Sequence, residues 1–305
     1  MKFVSNIINN INLQLIIMIN NETELLENID ETLKTIKEKN ALTHCITNSV
    51  TINDCANAVL AIGGSPFMAE DAEELEEVVT IADVLVINIG KLSKEQIEAM
   101  EISCETADKT NTPIILDPVG VGVTELRNKT TVNLIKNHNI TAIRGNISEI
   151  KAIAKLFGVL DETNTAKGVD VNADDVITEE NLKANGDLIC ELASKLDTVI
   201  LASGPIDILT DGETTIAIDN GDDMMPLITG SGCMLSSIVG SCIGGSNPLE
   251  GSLVAILAMN LAGEKARAKV EEKDEGTGSF RAYLIDYLYK TNSESLINES
   301  NIKIL

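Results

Sequence analysis

Leu227-Ile228-Thr229-Gly230-Ser231-Gly232-Cys233 is the stretch on which the reading of this chain turns. An apolar approach gives way to small residues that let the backbone bend sharply and aim several N–H groups at one point. The apolar run after it, Met234 to Ile243, reads as a helix, so the loop sits on a helix N-terminus. Unpaired N–H groups and the positive end of the helix dipole converge there, which is a geometry that binds anions. The plainer reading is a Gly-Ser-Gly loop that only starts a buried helix. A thiol placed at such a terminus is expected to have a lowered pKa.

Working outward, helical and strand patterns alternate along the chain, which predicts parallel strands with helices on both faces. Leu25, Leu26, Ile29, Leu33 and Ile36 mark a first amphipathic helix, and Thr51–Ile62 a second, stopped by Gly63-Gly64. The acidic run Glu70–Glu77 reads as the solvated start of another. Val84–Ile89 is a continuous apolar run ended by Gly90, the pattern of a strand buried on both faces. A helix over Lys94–Lys109 leads to a strand Ile114-Ile115-Leu116 that ends in Asp117-Pro118. Ile140–Arg144 is a further strand, with Glu149 opening the next helix. Residues 159–185 are polar and acidic and read as a loop with a short helix or a small excursion from the sheet. Thr198–Ala202 returns to strand, and Asp211-Gly212 joins Asp207–Thr210 to Thr214–Asp219 as a hairpin. Helices over Ser231–Gly244, Leu249–Glu271 and Ser279–Lys290 fill the C-terminal third. No linker divides the chain, so residues 21–305 are expected to form one α/β domain behind an irregular extension over residues 1–20.

The 305 residues are 44% hydrophobic but only 2% aromatic, with no Trp, so the core must be built from Ile, Val, Leu, Ala and Met. Acidic residues number 47 against 23 basic ones, a formal charge of −24 that argues against nucleic acid or an anionic membrane as partner. A polyphosphate ligand would then need local neutralisation. Cys45, Cys55, Cys104, Cys190, Cys233 and Cys242 show neither C-x-x-C nor zinc spacing, as expected of reduced thiols in a cytoplasmic protein. Asn10, Asn12 and Gln14 interrupt the N-terminal apolar stretch, against a signal peptide, and the apolar run over 249–262 is too short to span a bilayer.

In open parallel sheets, ligands sit beyond the C-terminal ends of the strands. Asn88, Asp117, Arg144 and Ser203 stand at those ends, and with Gly230–Cys233 they suit a nucleoside triphosphate and a metal. Asp117 offers hard oxygen to Mg²⁺ and Glu149 a second acidic contact. Arg144 offers a planar fork for phosphate oxygens. Each residue taken singly also reads as a cap, a turn or a surface ion pair; their coincidence carries the inference.

His44-Cys45-Ile46-Thr47-Asn48, Gly64-Ser65-Pro66-Phe67-Met68, Asp117 to Gly122, Ile143-Arg144-Gly145-Asn146, Glu149-Ile150 and Gly230 to Cys233 together resemble hydroxyethylthiazole kinase, from about Leu42 to Leu288. The resemblance implies a ribokinase-like three-layer α/β/α sandwich with a mostly parallel central sheet, assembled as a homotrimer with sites between subunits. It implies ATP- and Mg²⁺-dependent phosphorylation of 4-methyl-5-(2-hydroxyethyl)thiazole, a salvage step toward thiamine. By the same resemblance, Met68, Asn48, Val50 and Gly230 contact the thiazole, Arg144 and Ser203 contact ATP, and Asp117 and Glu149 lie at the metal. Cys233 stands where most ribokinase-like enzymes have a catalytic Asp, with Ser231 and Gly232 beside it. A Lys common before the loop is absent, Pro226-Leu227 taking its region. A hydroxymethylpyrimidine-type kinase and a catalytically silent ligand-binding relative are the alternatives.

Overall fold

A computed structural model describes residue 25, residues 28–160 and residues 176–305. The expected extension over residues 1–20, Leu26 of the first helix, and residues 161–175 of the acidic segment lie outside the described residues.

The central sheet follows directly from the apolar runs. It has nine strands in the order β2-β1-β3-β4-β5-β6-β7-β8-β9. The parallel part comprises β1 (Leu42–Ile46), β2 (Ser65–Phe67), β3 (Val84–Asn88), β4 (Ile114–Asp117), β5 (Ile140–Asn146) and β6 (Val199–Ser203). From β6 onward β7 (Asp207–Thr210), β8 (Thr215–Ile218) and β9 (Ile302–Ile304) pair antiparallel. Successive side chains of a strand point to opposite faces. In β3, Val84 and Val86 join one apolar cluster while Leu85 and Ile87 join the other. β6 divides in the same way, with Val199 and Leu201 on one side and Ile200 and Ala202 on the other. Burial on both faces is what makes these strands continuous apolar runs.

Helices complete the two outer layers. On one face lie α1 (28–39), α2 (Ile52–Ile62), α8 (Ser231–Ile243), α9 (Pro248–Lys273), α10 (Thr277–Tyr289) and α11 (Ser293–Asn298). On the other lie α3 (Leu75–Ile81), α4 (Lys94–Thr110), α5 (Glu125–Asn137), α6 (Ile147–Leu156) and α7 (Leu182–Leu196). Helix starts follow capping chemistry. Ser93 accepts from the Gln96 N–H, Thr124 from the Arg127 N–H, and Asn146 and Glu149 close a reciprocal capping box at α6. α8 lies directly against the sheet, because a side chain at Gly240 would strike Val86 of β3.

Some elements depart from the sequence pattern. β1 carries Thr43, His44 and Cys45, buried without forming an apolar run. α5 buries only Thr130, Thr131 and Leu134, too few to mark a face. α7 begins at Leu182 inside the stretch read as a loop and continues for 15 residues. Among the described residues no helix is long and apolar enough to cross a membrane.

Candidate active site

At the C-terminal ends of the parallel strands the chain encloses a cleft of about 740 Å³. Asp117, Arg144, Glu149, Ser203 and the whole Gly230–Cys233 loop line it, as the strand-end reading expected. Its far wall comes from Asp207, from the loop Asn220-Gly221-Asp222-Asp223, and from Met225, Ile256 and Asn260. No periodicity in the sequence aims that wall at the cleft; its Asn-Gly composition signals only a turn.

The anion loop is built by two close approaches. Gly230 caps α8 in the left-handed region at φ 86°, and a side chain there would strike Thr51. A Cβ on Gly232 would lie 2.6 Å from Nη1 of Arg144, so the guanidinium packs closely against the first turn of α8. The first intrahelical bond runs from Met234 N–H to Gly230 O at 2.8 Å. Ser231, Gly232 and Cys233 line the cleft, and their N–H groups precede that first bond at the helix end, where the dipole adds positive potential. Arg144 donates through Nη2 to Ser203 Oγ at 2.6 Å, while its Nε is buried without a partner. Ser203 and Arg144 therefore act as one unit, bridging β5 and β6.

Asp117 ends β4 and is fully buried. Its Oδ2 accepts from Ser236 Oγ at 2.6 Å and from Asn88 Nδ2 at 2.7 Å, whereas Oδ1 has no partner. Burial raises its pKa to about 7, Arg144 pulling it back and Glu149 adding to the rise. Glu149 is placed differently from the expectation of a free acidic contact. Its Oε1 accepts the Gly120 N–H and its Oε2 the Asn146 N–H, both at 2.8 Å, tying the loop after β4 to the turn after β5. Only its remaining lone pairs are open to a cation. Asp207 is buried on the far wall, where it accepts from Gly204 N–H at 2.9 Å and Asn260 Nδ2 at 2.7 Å. Burial raises its pKa to about 6.

The lowered pKa expected of Cys233 is not what its surroundings give. Burial, and then the Asp117 carboxylate, push the thiol up, against donors from Thr51, Asn88 and Asn48. A helix N-terminus can be read from sequence; the carboxylate standing across from it cannot. Asn48 reaches this centre, donating through Nδ2 to Cys233 Sγ at 3.4 Å. Val50 and Met68 do not line the cleft: Val50 is 72% exposed, and half-buried Met68 packs on the apolar cluster of the α8 face. His44 is buried, with Nε2 bonded to Ala69 O at 2.9 Å, and so fixes the turn after β2.

Cations are scarce and carboxylates plentiful in this cleft. Among the described residues Asp117, Glu149, Asp207, Asp222 and Asp223 line it, against Arg144 alone. A divalent cation fits the unpartnered Asp117 Oδ1, with Glu149 beside it. Among the described residues no group of three or more His, Cys, Asp or Glu could hold a metal by itself. A hard ion that keeps waters and phosphate oxygens in its shell suits so sparse a donor set.

Comparison with known proteins agrees with this geometry. The profile of the Hydroxyethylthiazole kinase family matches residues 33–294. The hydroxyethylthiazole kinase of Methanobrevibacter smithii is 70% identical over 285 residues, covering 93% of this chain and 99% of its own. The solved structure of the Pyrococcus horikoshii hydroxyethylthiazole kinase superposes with a TM-score of 0.79 at 32% identity, covering 92% of this chain and 99% of that one. A ribokinase-like superfamily protein from Enterococcus faecalis shares the fold at a TM-score of 0.54 and 14% identity, over 84% of this chain and 89% of its own. With the strand-end constellation and the anion loop in place on a ribokinase-like three-layer sandwich, the chain belongs to the hydroxyethylthiazole kinase family.

Proposed function

We propose that this protein transfers the γ-phosphoryl group of ATP to the alcohol of 4-methyl-5-(2-hydroxyethyl)thiazole, a salvage step toward thiamine. The observation that carries the reading is the convergence of Asp117, Arg144, Ser203 and the Gly230–Cys233 loop on one cleft. Phosphoryl transfer proceeds through a loose transition state, so catalysis is chiefly positioning and charge stabilisation. The N–H groups of Ser231, Gly232 and Cys233 meet negative charge on the moving phosphoryl group. Arg144, steadied by Ser203 and lying beside Gly232 of that loop, holds phosphate oxygens. Asp117 and Glu149 hold Mg²⁺, which when bound offsets charge on the phosphates. Cys233 takes the proton that the alcohol releases as its thiolate, the form that burial and Asp117 disfavour and the Asn88 and Asn48 donors support. So small a share of thiolate suffices because little base strength is needed before the phosphorus–oxygen bond forms.

The thiazole is held on the Asn48 side of Cys233, and the exposed Val50 and half-buried Met68 are covered by a neighbouring subunit in a homotrimer. A polarisable thioether suits a sulfur heterocycle. Six unpaired cysteines support a reducing, cytoplasmic setting. The test is purified protein with ATP, Mg²⁺ and the thiazole alcohol, read by mass spectrometry, with hydroxymethylpyrimidine in parallel. Phosphorylated thiazole that vanishes on chelation is the expected result. Turnover of the pyrimidine alone, or of neither, would overturn the assignment. Light scattering should give three chain masses, and a single chain mass would remove the shared site.

A further inference from the structure

We propose that Asn88 is a positioning residue for phosphoryl transfer, coupling the Asp117 carboxylate to the Cys233 thiol; the inference rests on the function just argued. Asn88 ends β3 and pairs in register with Asp117 at the end of β4, and it is only 2% exposed. Every polar valence of its amide is used. Oδ1 accepts the Gly90 N–H at 2.9 Å and an Asn48 N–H at 3.3 Å, while Nδ2 donates to Asp117 Oδ2 at 2.7 Å and to Cys233 Sγ at 3.2 Å.

This orientation is not interchangeable with its flipped form. The Gly90 N–H needs an acceptor, so the amide oxygen must face it and the NH₂ must face the carboxylate and the sulfur. Asn48 is fixed in the same way, because its Oδ1 accepts the Val50 N–H at 3.2 Å, and its NH₂ also points at Cys233. The sulfur therefore receives two amide donors. The negative charge of its thiolate, the form that takes up the alcohol proton, is met by N–H groups already in place. At Asp117, Asn88 and Ser236 both bind Oδ2 and leave Oδ1 as the oxygen without a partner. One amide thus orients two reacting groups, as an interaction made before the transition state should.

The groups facing Cys233 are Asp117 from β4, Cys55 from α2 with the Thr51 hydroxyl ahead of it, and Arg144 from β5 behind Gly232. The test combines a double-mutant cycle with a readout that does not need turnover. Asn88→Ala should lower kcat by about 10- to 100-fold and leave the KM for the thiazole alcohol within about threefold. In a Cys233→Ala background the same change should cost at most about a third of that factor, and the Mg²⁺ needed for half-maximal rate should rise several-fold. Iodoacetamide labelling of Cys233, followed on its peptide by mass spectrometry, should need a higher pH in Asn88→Ala, because a donor to the thiolate is gone. Asn88→Asp keeps the acceptor for Gly90, adds a carboxylate beside the sulfur, and should move the labelling profile further in the same direction. It decides the matter alone if the Ala variant does not fold. Equal kinetic losses in both backgrounds, or a labelling profile unmoved in Asn88→Asp, would overturn the proposal. If labelling responds while the wild type phosphorylates no thiazole, the coupling stands and the assigned substrate falls.

Discussion

Asp117→Asn tests the physical account of the site most directly, because it should make the protein less active and, above neutrality, more stable. The carboxyl is buried and its pKa stands at about 7 against an ordinary 3.8. Its folded value is the higher, so its contribution to stability is intact below about pH 4 and is lost as pH rises through about 7. Each pH unit over which the folded group keeps a proton that the unfolded one has shed costs about 1.4 kcal/mol. The full span is then worth about 4 kcal/mol, most of it falling between pH 5 and pH 8. Asparagine is isosteric and keeps an oxygen to accept from Ser236 and Asn88. Its NH₂ lands where Oδ1 has no partner, an unmet donor worth about 1–3 kcal/mol at any pH. That penalty cancels when the comparison is made between two pH values. Urea unfolding of both proteins with chelator present, at pH 5 and pH 8, should show the variant gaining about 2–3 kcal/mol on the wild type across the interval. Adding Mg²⁺ and ATP should restore the wild type at pH 8 and leave the variant where it was. A difference between the two proteins that stays constant with pH would refute the reasoning.

Changes at three more positions probe the rest of the site and its support. Cys233→Ala should slow turnover by about 10- to 100-fold without abolishing it, and Cys233→Asp should remain active, as steady-state rates will show; a folded but dead Asp variant would end the proton-acceptor role. Gly232→Ala drives a methyl to within 2.6 Å of the Arg144 guanidinium, so kcat/KM for ATP should fall by about 10-fold or more while the melting temperature changes by only a few degrees. Gly240→Ala meets Val86 instead and should cost about 1–3 kcal/mol in denaturant unfolding, with kcat/KM for ATP falling several-fold as α8 shifts at its far end.

How far the chain could be read follows from where its information is local. Val84–Asn88, Ile114–Asp117 and Val199–Ser203 are apolar because both faces are covered, and the polar residues that end them stand at or just behind the cleft, so strands and site emerged together. β1 was hidden because Thr43 and His44 are polar yet buried, His44 bonding to Ala69 O from a loop 25 residues on. β9 is three residues long and exists by pairing with β8 across the intervening helices. Asp117, Arg144 and Cys233 were legible as types at positions, and their assembly on one cleft matches the reading. What was not legible is how they alter one another. The raised Cys233 pKa and the double engagement of Glu149 depend on distances between strands. Asp207 and Asn260, likewise, form a wall only once β7 lies beside α9.

The close fit of Gly240 against Val86 has a consequence for how this protein can change over time. It seats α8 on the sheet ten residues from the loop that begins it, about 15 Å along a rigid rod at 1.5 Å per residue. A bulkier or smaller residue opposite that notch would shift the rod, and its far end is where phosphate is held. Neutral drift in the core is therefore narrower here than burial alone would set. Residues that never meet a substrate answer to selection on turnover as well as to selection on folding.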